Sequence, residues 1–402
     1  MKTPILILLL FSCLFIKAQT AIDNTNFQQA INTCLSTNPE DGMCSDSEYG
    51  AMPDWDVSKV TAMSGAFRDT TDFNGNISNW NVSSVTNMSY MFYEALAFNG
   101  DISNWNAGSV TNMTGMFYQA SLFNQNISSW DVSSVTDMRF MFYDAPSFNR
   151  DISNWNVGSV TNMAGMFYRA LAFNQNVGSW NVSSVTTMEG MFSEASTFNQ
   201  NIGSWNVSSV TTMEGMFYKA LAFNGDISNW NVSSATNMNL MFAYASSFNE
   251  DISNWDVRSV TNMYGMFLQT LAFNQDISSW NVSSVTTMSN MFDASGLSTT
   301  NYDALLNGWS QQTVQKNVTL GANGIAYCDG EDARQSLMDD YAWTITDVGL
   351  DCSKLGLEDQ NIITISVYPN PAKDKLFIQG LSNPSKVSIY NVLGKLVFSA
   401  TA

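Results

Sequence analysis

Histidine is absent from all 402 residues. Without imidazole there is no Ser/His/Asp or Cys/His nucleophile pair, no His-ligated zinc and no His general base near neutral pH. Positive charge is scarce too: 16 Lys and Arg stand against 35 Asp and Glu, a net charge of −19. A chain so acidic lacks the basic patch that nucleic acid or an anionic membrane surface requires, so neither is expected as a partner. Charged residues make up only 13 % of the chain, about half the usual share. Their place is taken by Asn, Ser, Thr, Met and aromatic residues.

Long apolar runs are also missing, with one exception. Residues 1–18 start with Lys2, continue through Pro4 to Ile16 as an apolar stretch and end at Ala18. Charged start, apolar middle and small-residue end describe a secretory signal peptide, cut before Gln19. Its apolar run is too short for a membrane anchor, which needs about 20 residues, so no membrane span is expected after cleavage. Loss of the signal removes Cys13 and leaves Cys34, Cys44, Cys328 and Cys352. Four cysteines in an exported chain suggest disulfides, and local pairs Cys34–Cys44 and Cys328–Cys352 would staple the two ends.

What is present in excess is repetition. Ten tryptophans, Trp55 through Trp280, recur every 25 residues without a break. A fixed period of this length marks a solenoid whose units bury their apolar side only against their neighbours. In the unit from Phe73 to Ala95, Ile77, Trp80, Val82 and Val85 follow the strand pattern of leucine-rich repeats, with Trp80 and Val82 inward and Asn79, Asn81 and Ser83 outward. Met88, Met91, Phe92 and Ala95 then stand at i, i+3, i+4 and i+7, one face of a helix, with Thr86 as its N-cap. The expectation is an α/β repeat solenoid with one short strand and one short helix per rung. Asn74 and its equivalents read as an internal ladder capping loop backbone. Met pairs and tryptophans at these spacings are core, so no cofactor or metal is expected. Paired carboxylates recur only as repeat positions, which leaves no catalytic constellation and no enzyme.

Two exposed features remain as candidates. Outward polar rows contain Asn79, Asn104 and Asn154, and beside them Asn81, Asn106, Asp131, Asn156 and Asn181. A line of tyrosines, Tyr93, Tyr118, Tyr143, Tyr168 and Tyr218, is interrupted at Ser193. The first offers hydrogen bonds to a protein or cell surface; the second offers rings to a glycan or a partner.

The expected organisation is a signal peptide over 1–18, an N-terminal cap over 19–48, ten rungs over 49–298 and a C-terminal cap over 299–352. A polar linker over 353–361 and a small all-β unit of four strands over 362–402 complete it.

The unit Trp-Asn-Val-Ser-Ser-Val-Thr-x-Met-x-x-Met-Phe resembles the surface-protein repeat of the BspA-like leucine-rich repeat family. That resemblance implies a secreted or surface-exposed protein, in some members an adhesin, and supplies no catalytic residue. Tyr368-Pro369-Asn370-Pro371, followed by Leu376-Phe-Ile378 and Ile389-Tyr-Asn-Val-Leu-Gly-Lys395, resembles the type A sorting domain of the type IX secretion system of Bacteroidota. It implies a small β-sandwich, engagement with that secretion machinery and delivery beyond the outer membrane of a Gram-negative bacterium. Such domains usually continue past the point reached at Ala402, so either the sequence is a fragment or the signal is incomplete. Adhesion or recognition through the polar strand face is the leading expectation. A polysaccharide-binding module built on the tyrosines, or a plain surface spacer, are the alternatives.

Overall fold

The computed structural model describes residues 19–353 and four strands beyond them, 366–368, 377–379, 386–390 and 396–401. The signal peptide expected over 1–18 and, apart from Ser353, the linker expected over 353–361 lie outside the described residues. The chain divides into two compact units, before and after Asp351.

In the first unit, helix α1 (Phe27–Leu35) buries Phe27, Ala30, Ile31 and Cys34 and closes the start of the array. Its neighbour Asn24 accepts from the Thr61 amide at 2.8 Å and donates to the Thr61 hydroxyl, standing in for the rung that would precede. Cys34 and Cys44 form a disulfide, as the sequence suggested, and Cys328 and Cys352 are each disulfide-bonded.

Every rung buries the same side chains. Phe98, Ile102, Trp105, Val110, Met113, Met116, Phe117 and Ala120 are all within 3 % of full burial. Like residues stack along the axis: Trp80 on Trp105 at 6.5 Å, Phe92 on Phe117 at 5.5 Å, Phe73 on Phe98 at 6.0 Å. From Trp80 to Trp280 each repeat indole N–H donates to a carbonyl 28 residues earlier, as from Trp155 to Ile127 at 3.1 Å, so the polar end of the ring is satisfied inside the core; Trp55, in the first rung, donates to Gly50 O instead.

The strand and helix expected in each rung are not formed. Between Ile77 and Val85 the backbone makes two corners, closed by Trp80 N–H to Ile77 O and Val85 N–H to Val82 O. Pairing between rungs is reduced to single parallel bridges, Ala62 to Asn87, Asn87 to Asn112 and onward to Thr287. The segment read as a helix is three successive turns: Met91 N–H to Met88 O, Tyr93 N–H to Tyr90 O and Ala95 N–H to Phe92 O. Tyr90 and Glu94, third residues of two of these turns, have φ of 55° and 54°, as type II turns require. Meanwhile the amides of Met88, Tyr90, Phe92 and Glu94 donate to Asn112, Thr114, Met116 and Tyr118 of the next rung at 2.8–3.0 Å. The physical reason is spacing. Rungs hydrogen-bonded directly to one another lie about 4.8 Å apart, whereas a helix with its side chains is about 10 Å wide. Turns of three to four residues repeat their direction at nearly the helical period, so both structures write the same apolar stripe. Thr86 is accordingly no helix cap: its amide and hydroxyl both donate to Thr61 O, at 2.8 and 3.2 Å.

The array ends in helix α2 (Thr299–Ser310), N-capped by Ser298, and helix α3 (Glu331–Tyr341). Strand β1 (Thr319–Gly321) pairs in parallel with β3 (Thr344–Thr346), and β2 (Ala326–Tyr327) with β4 (Gly349–Leu350). Leu320 of β1 bridges to Met288, so the cap continues the inter-rung pairing. Beneath it, buried Asp303 accepts the amides of Cys328, Asp329 and Gly330 at 2.9–3.0 Å.

In the second unit, β5 (Ser366–Tyr368) pairs antiparallel with β6 (Phe377–Gln379), and β7 (Lys386–Tyr390) with β8 (Leu396–Thr401). Of the expected sorting motif, Tyr368 ends β5; Pro369, Asn370 and Pro371 lie outside the described residues.

Candidate functional site

Two long faces of the array carry the residues singled out above. On the first, the polar rows are exposed, and one of them is consumed by the backbone. Oδ1 of Asn81 accepts from the amide and hydroxyl of Ser83 at 3.2 and 2.7 Å; Asn106, Asp131, Asn156 and Asn181 accept from the amide two residues on at 3.0–3.2 Å. These are Asx turns that set the corners. Bonds from Ser133 hold the Asp131 carboxyl below its ordinary value. Asn79, Asn104 and Asn154 project beside them into solvent. A shallow depression of about 520 Å³ lies among these rows near Gly178 and Gly203. There Asn176 and Asn201 again accept the glycine amides at 2.9 Å.

A further row, Asn74 and its equivalents, forms the expected ladder: Asn99 N–H donates to Asn74 Oδ1 at 2.9 Å, and the pattern runs to Asn274. It is a surface ladder of exposed or half-buried side chains, not an internal one.

The second face is made by the turns. Tyr93, Tyr118, Tyr143 and Tyr168 stack ring on ring at 4.7, 4.4 and 4.3 Å with interplanar angles of 12° or less. Burial raises the phenols of Tyr118 and Tyr143 above their ordinary value, and neighbouring rings push Tyr143 further, so these two phenols stay neutral at physiological pH. Arg68 closes one end, its guanidinium 4.3 Å from the Tyr93 ring centre. At the other end the stack stops, because Ser193 stands where the next tyrosine would be. Tyr218 lies one rung beyond and meets Tyr244 edge-on at 5.6 Å.

The missing ring leaves a cavity of about 340 Å³ lined by Tyr168, Ser193, Tyr218, Glu189, Glu214 and the glycines 165, 190 and 215. Those glycines have φ of 55–59° at the position held elsewhere by Tyr90, Phe140 and Leu240, so their lack of a side chain deepens the groove. Charges line its margin. Glu194 is shared by Arg169 at 3.5 Å and Lys219 at 3.4 Å, and Arg169 also reaches Asp144 at 3.4 Å. Hydrogen bonding with Tyr218 and the Glu194 charge raise the Lys219 ammonium. Glu214 receives the Asn237 and Asn239 amide groups at 2.8 and 2.9 Å.

The tyrosine line was thus visible in sequence, but the turns that carry it were not. Glycine recurring at 65, 115, 165, 190, 215 and 265, inside a supposed helix, was the available signal for positive φ.

The fold and its stacked aromatic rows define a tandem-repeat solenoid. Three overlapping stretches, residues 42–155, 122–230 and 221–321, match the family described as "Mycoplasma protein of unknown function, DUF285". These stretches cover well over half of the chain, and the protein belongs to that family. Residues 366–402 match a secretion system C-terminal sorting domain. No protein of curated function matches the chain significantly. The sorting tail makes this a secreted or cell-surface repeat protein and implies engagement with the secretion machinery. Repeat family and tail together point to a non-enzymatic surface protein. Among the described residues no helix is long and apolar enough to cross a membrane.

Proposed function

We propose that the chain is a non-catalytic recognition protein of the BspA-like kind, displayed or released outside the cell, and that it binds a protein partner through its turn face. One observation carries this reading: differences between rungs gather on that face. The ten residues equivalent to Asn81 are all Asn or Asp, whereas those equivalent to Tyr93 run Arg, Tyr, Tyr, Tyr, Tyr, Ser, Tyr, Ala, Leu, Asp. A repeated scaffold recognises a particular partner only where its copies differ. Leu96, Leu171, Leu221 and Leu271, three residues beyond the tyrosine positions, add exposed apolar area of the sort a protein partner covers. The polar rows, by contrast, spend much of their hydrogen-bonding capacity on corners.

The glycan alternative is weakened by the stack itself. Rings that lie 4.3–4.7 Å apart cover one another's faces and offer a sugar chain only their edges.

The test is binding of the secreted chain to matrix proteins, cell surfaces and glycans, repeated with two variants. Tyr168→Ala with Tyr218→Ala should abolish binding, and Asn79→Ala with Asn104→Ala and Asn154→Ala should leave it. The reverse pattern would return the site to the polar rows.

A further inference from the structure

The tyrosine stack has two ends, and the chain itself shows what one of them holds. At the Tyr93 end the open ring face carries the guanidinium of Arg68. At the Tyr168 end no ring covers the outward face among the described residues, and the cavity at Ser193 begins there. Tyr168 and Tyr218 are two rungs apart, about 9–10 Å at the usual spacing, which leaves room for one flat group between them.

The charges around this slot favour a cation. Arg169 is held by Glu194 and Asp144, and Lys219 by Glu194 with its ammonium 5.0 Å from the centre of the Tyr218 ring, so the Tyr168 face is the one left open. Glu189 and Glu214 remain, both lining the cavity. Glu189 is exposed and enters no ion pair among the described residues, and Glu214 is bound only by neutral amide groups. Two acidic residues thus line a slot whose wall is an aromatic ring.

We propose that this slot binds an arginine side chain of the protein partner, its guanidinium stacked on Tyr168 and its N–H groups donating to Glu189 and Glu214. The planar guanidinium suits both demands, because it stacks on an aromatic face and forks to carboxylates, whereas an ammonium is a compact and strongly hydrated charge. The proposal rests on the turn-face reading and names the chemistry at its centre.

Ser193→Tyr gives a clean test, since neighbouring rungs carry tyrosine at the same place and the fold should accept the ring. Saturation-transfer NMR would follow the full secreted chain with acetyl-Gly-Arg-Gly-amide, its lysine counterpart and a set of neutral oligosaccharides. The arginine peptide should give side-chain transfer, the lysine peptide markedly less, and Ser193→Tyr should erase the signal. Glu189→Gln with Glu214→Gln should weaken binding about tenfold, the loss expected for charge-assisted contacts. Equal response to lysine, retention in Ser193→Tyr, or transfer only to the oligosaccharides would each overturn the proposal. If a captured partner is lost in Tyr168→Ala with Tyr218→Ala yet retained in Ser193→Tyr, the arginine slot fails while the turn-face reading stands.

Discussion

Replacing Gln269 with glycine separates the turn structure from the helix that its sequence imitates. Gln269 is exposed, has φ of 52° and donates its amide to Asp293 O at 2.9 Å, a bond that any residue retains. In a helix, glycine at this place would cost about 0.5–1 kcal/mol, and alanine would be the better choice. In the left-handed conformation an L side chain is strained by roughly 1–2 kcal/mol, which glycine relieves. Against that stands the larger backbone freedom of glycine in the unfolded chain, about 0.5–1 kcal/mol. The net expectation for Gln269→Gly is stabilisation by about 0.5–1 kcal/mol, with Gln269→Val destabilising because a β-branched residue resists positive φ. Equilibrium urea unfolding of the secreted chain, followed by indole fluorescence, would read the change as a midpoint rise of roughly 0.3 M for a slope near 2–3 kcal/mol/M. A fall in midpoint for glycine together with a rise for Gln269→Ala would refute the turn assignment.

Trp155→Phe removes the indole bond to Ile127 and part of a stacked, buried ring, and should cost about 2–3 kcal/mol by the same urea assay. Asp303→Ala strips three amides of their only buried carboxylate and should destabilise the C-terminal cap by about 3 kcal/mol or more, seen as faster proteolysis after residue 298. Hydrogen bonds from the serine two residues on depress Asp101, Asp131, Asp151, Asp226 and Asp251 below 3.8. Depressed carboxylates contribute stability that is present above 3.8 and lost as pH falls through their folded values. The melting temperature should therefore hold from about pH 7 to about 4.5 and fall below about 3.8; a decline already complete at about pH 5 would contradict this.

Burial was legible in the sequence because it depends only on which residues recur: Phe73, Ile77, Trp80, Met88 and Phe92 are core in any arrangement that stacks identical rungs. The ends of the array were marked in the sequence because the period fails there. Backbone conformation was not, since Met88, Met91, Phe92 and Ala95 fit a helix and a run of turns equally well. The choice between them is made by the neighbouring rung, which takes the amides of Met88, Tyr90, Phe92 and Glu94 for itself. No local propensity records that competition. The groove at Ser193 was half legible: the break in the tyrosine line showed, but its depth comes from glycines 165, 190 and 215, which acquire meaning only once their φ is known.

The same geometry explains why the two faces differ in variability. An Asx corner needs an oxygen at one defined place, so almost any substitution at Asn156 leaves the Gly158 amide without its 3.2 Å acceptor. A turn-face side chain such as Glu189 has no such duty; its carbonyl makes the inter-rung bond to the Gly165 amide, and its side chain is exposed at the margin of the Ser193 cavity. Asn156→Ala should thus cost about 0.5–1 kcal/mol and Glu189→Ala stay within about 0.5 kcal/mol of the parent. Equal costs at the two positions would show that the constant rows are constant merely because the repeats share an origin. A difference in the expected direction would mean that copying fixed the corners for folding and left the turn face free to acquire a partner.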